Sequence, residues 1–265
     1  MMKNFINKLI KKNYRYIIKN VSYDFSERIR RKLDKILVYS LEVLGYKIAP
    51  KNQLVDYYLH EYKSYEEYRD LQIYHNKRKI NKVFADKHTL TRVGNTLLRL
   101  FNDEDQIKGI CHGSRNGFEQ NFLNDFSNKI KVIGTDISET ANDYENSVQW
   151  DFHDENKDWI SANSFVYSNS LDQSWQPKVA LKTWFDQLKP NGVLILEYTS
   201  AQGPDGADKV DPFGVRPKVL PYILTLWFGS QISIEHSVDK KDNGRRLDAW
   251  LFVVKKNVKE VIILN

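Results

Sequence analysis

The sequence predicts an α/β protein built on a doubly wound, mostly parallel sheet, with a helical segment ahead of it. From residue 107 onward, short apolar runs alternate with helical patterns, which is typical of parallel strands covered by helices on both faces. Before that point, apolar residues recur only with the spacing of helices. The predicted strands occupy residues 107–111, 131–137, 147–151, 164–168 and 192–198.

The change of pattern near residue 100 also predicts two domains. Residues 1–100 are expected to form a helical extension or cap, and residues 101–265 the domain that contains the sheet. In the first, Ser64 and Glu67 form a capping box before one helix, and another helix is predicted over about 90–101.

The second domain contains two predicted crossover helices and ends in a hairpin. Helical patterns lie between the first and second strands and between the fourth and fifth, the latter followed by a Pro-Asn-Gly turn. A long loop rich in Gly, Pro and Asp covers 199–217. The segments "QISIEH" and "AWLFVVKK" flank the turn signal Asp242-Asn243-Gly244, which predicts an antiparallel pair.

Composition excludes several classes of protein. The apolar and charged fractions, 41% and 28%, are those of a soluble globular protein. The single cysteine, Cys111, cannot form a disulfide within the chain and suits a reducing compartment, so a cytoplasmic location is expected. Neither a membrane span nor a signal peptide is expected. Residues 1–20 could form an amphipathic helix that contacts a membrane surface, although such segments more often pack on their own domain.

Positive charge is concentrated in the first domain. Residues 1–100 carry 22 Lys and Arg against 10 Asp and Glu, whereas residues 101–265 carry 18 against 24. This surplus suits nucleic acid, anionic lipid or a phosphorylated substrate. A solvated helical face explains it more simply, so nucleic acid remains a less favoured partner.

A glycine turn follows the first predicted strand, in "GICHGSRNGFEQNFL" at 109–123. Strand, turn and helix in this order let backbone N–H groups approach a bound cofactor. Gly113 and Gly117 frame the turn, but Arg115 stands where a third glycine is expected. Such a motif is weak evidence when it stands alone.

Two acidic residues follow the next strands at positions suited to a nucleoside. Asp136 lies 19 residues after Gly117, and an acid about 20 residues beyond a glycine turn reaches the two ribose hydroxyls of a cofactor. A helix cap or loop aspartate is the simpler alternative. Asp151 follows a short strand and could accept a hydrogen bond from an adenine amino group, with Trp150 or Phe152 beside the ring.

The order of these elements resembles the class I S-adenosylmethionine-dependent methyltransferases of the small-molecule type. The resemblance spans roughly 107–255, and "SNSLDQSWQPKVALKTWFDQLKPNGVLILE" is its most specific part. It implies a Rossmann-like sheet of seven strands with an antiparallel last strand, S-adenosyl-L-methionine as cofactor, and methyl transfer as the reaction. The predicted C-terminal hairpin fits this sheet better than that of an NAD enzyme.

Carried over by position, the resemblance also assigns the cofactor site. The assigned residues are His112, Gly113, Arg115, Gly117, Asp136, Ile137, Asp151, Phe152, Ser168 and Asn169. The family usually has an acid just before the first glycine, where this chain has Cys111 and His112. Arg115 replaces the middle glycine and could either form a salt bridge with the cofactor carboxylate or block the pocket.

Catalysis is assigned to side chains near the predicted strand ends. Asp172, four residues after Ser168, is the best placed general base, and His153 is a second candidate. A cap for the following helix is the alternative role of Asp172, and His153 is otherwise a loop histidine. The remaining histidines show no spacing typical of metal ligands, so no metal is expected.

The methyl acceptor is specified least. The sequence Asn169-Ser170-Leu171-Asp172 lacks the prolines typical of enzymes that methylate base amino groups, so O-methylation of a small or carbohydrate-like, anionic acceptor is favoured. RNA ribose methylation and a non-catalytic binding or scaffold protein on the same fold are the alternatives. The residues expected to face the acceptor are Gln72, Asn76, Arg78 and Glu197. The alternative role for the segment that contains Gln72, Asn76 and Arg78 is a helical cap that only packs on the sheet. The oligomeric state is not predicted.

Overall fold

The computed structural model describes residues 57–240 and 247–257, together with single positions between 29 and 43. The chain divides into two compact units, Met1–Lys51 and Asn52–Asn265. In the first unit the described positions are helical. The segment predicted to be amphipathic and the turn of the C-terminal hairpin lie outside the described residues. None of the helices in the described part of the chain combines the length and the apolar character needed to traverse a bilayer.

The described part of the second unit alternates strands and helices. The helices are α1 (Tyr65–Arg78), α2 (Lys87–Leu100), α3 (Phe118–Phe126), α4 (Pro177–Gln187) and α5 (Leu220–Phe228). The strands are β1 (Tyr57–Leu59), β2 (Ile107–His112), β3 (Ile130–Asp136), β4 (Ser147–Gln149), β5 (Asn163–Ser168), β6 (Leu188–Thr199), β7 (Phe213–Val215), β8 (Ile232–Lys240) and β9 (Asp248–Lys256). Short 3₁₀ helices cover Glu139–Asp143, Lys157–Trp159, Leu171–Gln173, Ser200–Gln202 and Gly229–Gln231.

The main sheet has seven strands in the order β4-β3-β2-β5-β6-β9-β8. The first five are parallel to one another, whereas β9 is antiparallel to both β6 and β8. The predicted Rossmann-like sheet with an antiparallel C-terminal hairpin is therefore confirmed. Strand order reverses between β2 and β5, and in open α/β sheets ligands bind outside the carboxyl ends of the strands at such a reversal.

Helices cover both faces of the sheet, as expected for doubly wound proteins. Leu90, Leu97 and Leu123 from α2 and α3 belong to one core cluster, and Trp184 and Leu220 from α4 and α5 belong to the other. All five are fully buried. Full burial of such a side chain contributes about 1.5–3 kcal/mol, so these contacts hold the strand ends in fixed positions.

Two helices begin with side-chain caps. Ser64 Oγ accepts a hydrogen bond from the backbone N–H of Glu67 at 3.3 Å, as predicted. The Glu67 carboxylate, however, accepts from the N–H of Lys63 at 2.9 Å, one residue before the cap. Helix α2 starts one turn earlier than predicted because Asp86 accepts from the N–H of Thr89 at 2.9 Å.

Two features of the fold were not predicted. Strands β1 and β7 form a separate antiparallel pair, in which Tyr57 lies opposite Val215 and Leu59 opposite Phe213. Helix α5, which follows this pair in the chain, is the second such feature. The turn predicted at 190–192 is wrong, because these residues belong to β6, where Asn191 adopts a left-handed φ of 64°. The β1–β7 pair matters for the site because it fixes one end of the long loop at 199–217.

Candidate functional site

A crevice lies at the carboxyl ends of β2 and β5, where the strand order reverses. It contains a cavity of about 200 Å³ and a smaller one of about 30 Å³. The two cavities share five lining residues, Lys79, Gly113, Arg115, Gln173 and Asp211. The two cavities are therefore adjacent halves of one crevice, and their other lining residues differ.

The glycine turn between β2 and α3 needs its glycines. Gly113 and Gly117 have φ values of 75° and 79°, in the left-handed region that glycine tolerates. A Cβ on Gly113 would also lie 2.5 Å from Ser170 Cβ. The N–H groups of Gly113 and Ser114 both donate to the carbonyl of Thr135 at 2.9 Å, which fastens the turn to β3. These two groups are consequently not available to a ligand.

Asp136 lies buried at the end of β3 and borders the smaller cavity. Its Oδ1 accepts from the N–H of Ser138 at 3.0 Å, and its Oδ2 accepts from the N–H of Arg115 at 3.1 Å. The side chain of Asn76 also acts on this carboxylate and lowers its pKa. Burial raises the pKa of Asp136, while the bond from Ser138 and the positive charge of Arg115 act in the opposite direction.

The side chain of Arg115 lies inside the crevice and lines both cavities. Its guanidinium carbon stands 4.9 Å from the ring centroid of Phe84, and Nη1 donates to the carbonyl of Lys82 at 3.4 Å. Its buried Nε has no hydrogen-bond partner among the described residues. The cation is thus held in place by Phe84 and Lys82 and keeps one N–H group for a ligand.

Carboxyl groups gather around the larger cavity. Burial raises the pKa of Glu119 to about 7, and that of Asp172 to about 8 with a further contribution from Asp211. Asn169 Nδ2 donates to Glu119 Oε1 at 3.4 Å. Glu119 Oε2 and Asp172 Oδ1 are buried without a partner in the described part of the chain. Both groups can therefore hold or release a proton near neutral pH.

Glu197 adds a further carboxylate to the lining of the larger cavity. Its Oε2 accepts from the hydroxyl of Tyr167 at 2.6 Å. Tyr167 is fully buried in β5, so it fixes the carboxylate from within the sheet. The carboxylate of Glu197 is consequently held in a fixed position in the wall of the cavity.

A chain of hydrogen bonds runs from Tyr65 through Asp151 and His153 to Ser174. The Tyr65 hydroxyl donates to Asp151 Oδ2 at 2.8 Å, and His153 Nδ1 lies 2.6 Å from Asp151 Oδ1. His153 Nε2 lies 2.7 Å from Ser174 Oγ. Burial would raise the pKa of Asp151, but the bond and charge of His153 hold it below its usual value. Both ring nitrogens of His153 are engaged, and it lines neither cavity.

His112 also lies apart from both cavities. Its Nδ1 is 2.8 Å from Thr135 Oγ1, its Nε2 is 2.8 Å from Gln187 Oε1, and its ring stacks on Trp184 at 5.2 Å. Burial lowers the pKa of His112 to about 4, so the ring is neutral at physiological pH. The side chain serves the core beneath the turn, and its assignment to the cofactor stays a prediction.

The structure brings most of the predicted site residues to the crevice. Around the larger cavity lie Gly113, Arg115, Asn169, Asp172 and Glu197, and around the smaller one lie Gln72, Asn76, Asp136, Ile137, Asp151 and Phe152. Gly117 and Ser168 line neither cavity; Ser168 Oγ instead donates to the carbonyl of His112 at 3.0 Å. Arg78 lines neither cavity and is exposed.

Several lining residues were missed in the sequence. The segment from Lys79 to Phe84 has no periodic pattern, and Asp211 lies in the long loop without a motif. Glu119 was the one residue with a usable signal, because it opens the helix that follows the glycine turn. Within the described residues, no group of three or more His, Cys, Asp or Glu side chains could hold a metal ion.

Comparison with known proteins gives the fold its name. No family model matches the sequence, and the search of curated proteins finds no match. The structure resembles the 1,6-didemethyltoxoflavin-N1-methyltransferase of Burkholderia thailandensis, solved with 1,6-didemethyltoxoflavin and S-adenosylhomocysteine, with a TM-score of 0.56. The identity is 10%, over 75% of this chain and 93% of that chain.

A second structure gives the same result. The plantazolicin methyltransferase BpumL, solved with a triazolic desmethyl analogue and S-adenosylhomocysteine, has a TM-score of 0.56 at 10% identity. The match covers 72% of this chain and 96% of that chain. At this level of identity the likeness concerns the fold, which is that of the class I S-adenosylmethionine-dependent methyltransferases.

Proposed function

We propose that this protein is an S-adenosylmethionine-dependent methyltransferase that binds its cofactor in the crevice and methylates a small molecule. One observation carries the proposal. Within a methyltransferase fold, Asp136 and Asp151 border the same half of the crevice at the reversal of strand order. Carboxylates at these two points suit the ribose hydroxyls and the adenine amino group of a nucleoside.

The larger cavity suits the amino-acid end of the cofactor. That end carries a carboxylate and an ammonium group. The cavity presents the unpartnered Nε of Arg115 for the first and the unpartnered Oε2 of Glu119 for the second. Charge-assisted hydrogen bonds of this kind are about twice as strong as neutral ones. The cavity therefore offers a donor for the negative carboxylate and an acceptor for the positive ammonium group of the cofactor.

The smaller cavity has the right side chains but too little room. Its volume is about 30 Å³, against about 200 Å³ for the larger cavity. Side chains of α1, among them Tyr68, Gln72 and Asn76, line this half. The residues of the sheet thus fit an adenosine, provided that α1 withdraws.

In the proposed reaction the acceptor hydroxyl is the nucleophile, so the protein has to supply only a base. When bound, the cofactor supplies a methyl group on a positively charged sulfur. Asp172 can take the proton that an acceptor hydroxyl loses, since its pKa of about 8 lies near the working pH. Glu197, held by Tyr167, and Asp211 can accept hydrogen bonds from further hydroxyls of the acceptor.

The lining of the cavity supports an acceptor rich in hydroxyl groups. Its carboxyl groups suit hydroxyl donors, and the nearby cations Lys79 and Lys82 suit an anionic substituent. We therefore propose O-methylation of a small, carbohydrate-like acceptor, with Asp172 as its base. His153 remains a weaker proposal for catalysis because both of its ring nitrogens are bonded to Asp151 and Ser174.

Calorimetric titration with S-adenosylhomocysteine tests the cofactor assignment. Asp136→Ala should weaken binding by about 1.5–3 kcal/mol, the scale of hydrogen bonds to a charged group. Asp143→Ala is the control, because Asp143 is an exposed acid in the neighbouring 3₁₀ helix. Unchanged affinity of Asp136→Ala would contradict the assignment, and binding of NAD in its place would indicate an oxidoreductase.

A second experiment tests catalysis and the class of acceptor. The protein is incubated with S-adenosylmethionine carrying an isotopically labelled methyl group, first with a small-molecule extract and separately with RNA. Mass spectrometry should then find a labelled product whose methyl group lies on oxygen. A wild-type protein that binds the cofactor but labels nothing in small-molecule or RNA fractions would favour a binding or scaffold role.

A further inference from the structure

We infer that helix α1 is a lid that lies in the adenosine half of the crevice of its own chain. There it contacts the same two carboxylates, Asp136 and Asp151, that the cofactor would use. The inference rests on the proposed function. It goes beyond that function because it makes cofactor binding and the docking of α1 mutually exclusive. The contacts of Asn76, Tyr65 and Gln72 carry the argument.

Asn76 occupies the place expected for the ribose. Its side chain interacts with the buried carboxylate of Asp136 and lowers its pKa, while the carboxylate oxygens accept from the N–H groups of Ser138 and Arg115. The Asn76 Oδ1 accepts in turn from Thr140 Oγ1 at 3.1 Å. Asn76 is only 7% exposed. A ribose that bound Asp136 through its hydroxyls would compete with this amide for the carboxylate.

Tyr65 makes the corresponding contact at the base-binding end. Its hydroxyl donates to Asp151 Oδ2 at 2.8 Å, while Oδ1 of the same carboxylate is bonded to His153 at 2.6 Å. The Tyr65 ring is also 5.7 Å from that of Trp175. The tyrosine hydroxyl thus occupies an acceptor site of Asp151 for which an adenine amino group would compete.

The body of α1 fills the space between these two contacts. Tyr68 is 1% exposed and Gln72 is 6% exposed, and both border the cavity of about 30 Å³. This cavity is much smaller than the neighbouring one of about 200 Å³. Gln72 Nε2 also donates to the carbonyl of Val210 at 2.8 Å, which connects α1 to the long loop on the other side of the crevice.

The way α1 docks is compatible with its release. Among the described residues of α1, the buried ones are Tyr68, Gln72, His75 and Asn76, and none belongs to either core cluster. The helix is held by polar contacts and by the stacking of Tyr68 on Trp175, and its ion pair between Lys77 and Glu139 is half exposed and therefore weak. Elements with few buried apolar contacts open at lower free energy than the core.

The test compares affinities for S-adenosylhomocysteine in the full chain by calorimetry. Tyr65→Phe keeps the ring and Asn76→Ala keeps the helix, but each removes one bond between α1 and a charged carboxylate. If docking of α1 competes with the ligand, each variant should bind about 10-fold more tightly than wild type. Tyr222→Phe and Asn142→Ala, at exposed positions, are the matched controls and should change nothing.

Hydrogen–deuterium exchange without ligand supplies an independent readout. Amides of 65–78 should exchange faster in Tyr65→Phe than in wild type or in Tyr222→Phe. Equal or weaker binding by both lid variants, together with normal binding by wild type, would overturn the inference and leave the proposed function intact. Absence of binding in wild type and in every variant would instead overturn the proposed function.

Discussion

Substituting Arg115 by lysine probes how the crevice holds the carboxylate of its ligand. The side chain is fixed by stacking on Phe84 and by a bond to the carbonyl of Lys82, and its Nε has no partner among the described residues. Lysine keeps the positive charge and tolerates the same φ of 47° about as well as arginine does. The substitution therefore removes the planar fork of donors and little else.

The magnitude follows from the bonds that are lost. One hydrogen bond between charged groups contributes about 1.5–3 kcal/mol, so Arg115→Lys should weaken binding of S-adenosylhomocysteine by about 10- to 150-fold. Folding stability should change by only about 0.5–1 kcal/mol, the scale of a cation–π contact like that with Phe84. A large loss of affinity with a small loss of stability distinguishes a ligand contact from a structural one.

The assay compares two ligands that differ only at the relevant end. Calorimetry is run with S-adenosylhomocysteine and with 5′-methylthioadenosine, which lacks the amino-acid group. Arg115→Lys should weaken the first and leave the second unchanged. Equal losses for both ligands, or no loss for either, would refute the assignment of Arg115 to the carboxylate.

Three further predictions concern Asp172 and Gly113. The rate of methyl transfer should rise with pH through about 8, where Asp172 loses its proton, and Asp172→Asn should lower it by about 10²–10⁴-fold in a labelled-methyl assay; an unchanged rate would exclude Asp172 as the base. Because the folded chain keeps on Asp172 a proton that the unfolded chain releases near its ordinary pKa of about 3.9, stability should fall as pH rises from about 4 to 8. Urea unfolding at several pH values should show a shallower decline in Asp172→Asn, and an identical slope would argue against the raised pKa. Gly113→Ala should lower stability in thermal unfolding by the cost of a positive φ, about 1–3 kcal/mol, and by a further amount because a Cβ would meet Ser170 at 2.5 Å. Gly229→Ala, which has a φ of 57° but no atom within 4 Å of its Cβ, is the control, and an equal loss in the two variants would refute the steric argument.

The sheet could be predicted because its signals are local. Apolar runs marked β2 to β6, a turn signal marked the β8–β9 hairpin, and two glycines with positive φ marked the turn after β2. Ser64 marked the start of α1 through its cap. Each of these features depends on residues that are near one another in the sequence.

Features that depend on distant residues could not be predicted. The pairing of Tyr57 with Val215 joins two three-residue strands, each too short to show a period. The contact of Tyr65 with Asp151 spans 86 positions, and neither residue carries a signal for the other. Sequence reasoning therefore assigned Asp136 and Asp151 to the candidate site, but it missed Glu119 and Asp211 and did not foresee that Tyr65 of α1 bonds to Asp151.

A crystal structure of the full chain with S-adenosylhomocysteine tests the central claim most directly. We expect ribose hydroxyls bound to Asp136, the adenine amino group near Asp151, and the ligand carboxylate bound to Arg115. We also expect Tyr65 and Asn76 to leave the positions they hold beside these acids. Ligand bound elsewhere would contradict the cofactor site, and ligand bound at Asp136 with α1 unmoved would contradict the lid.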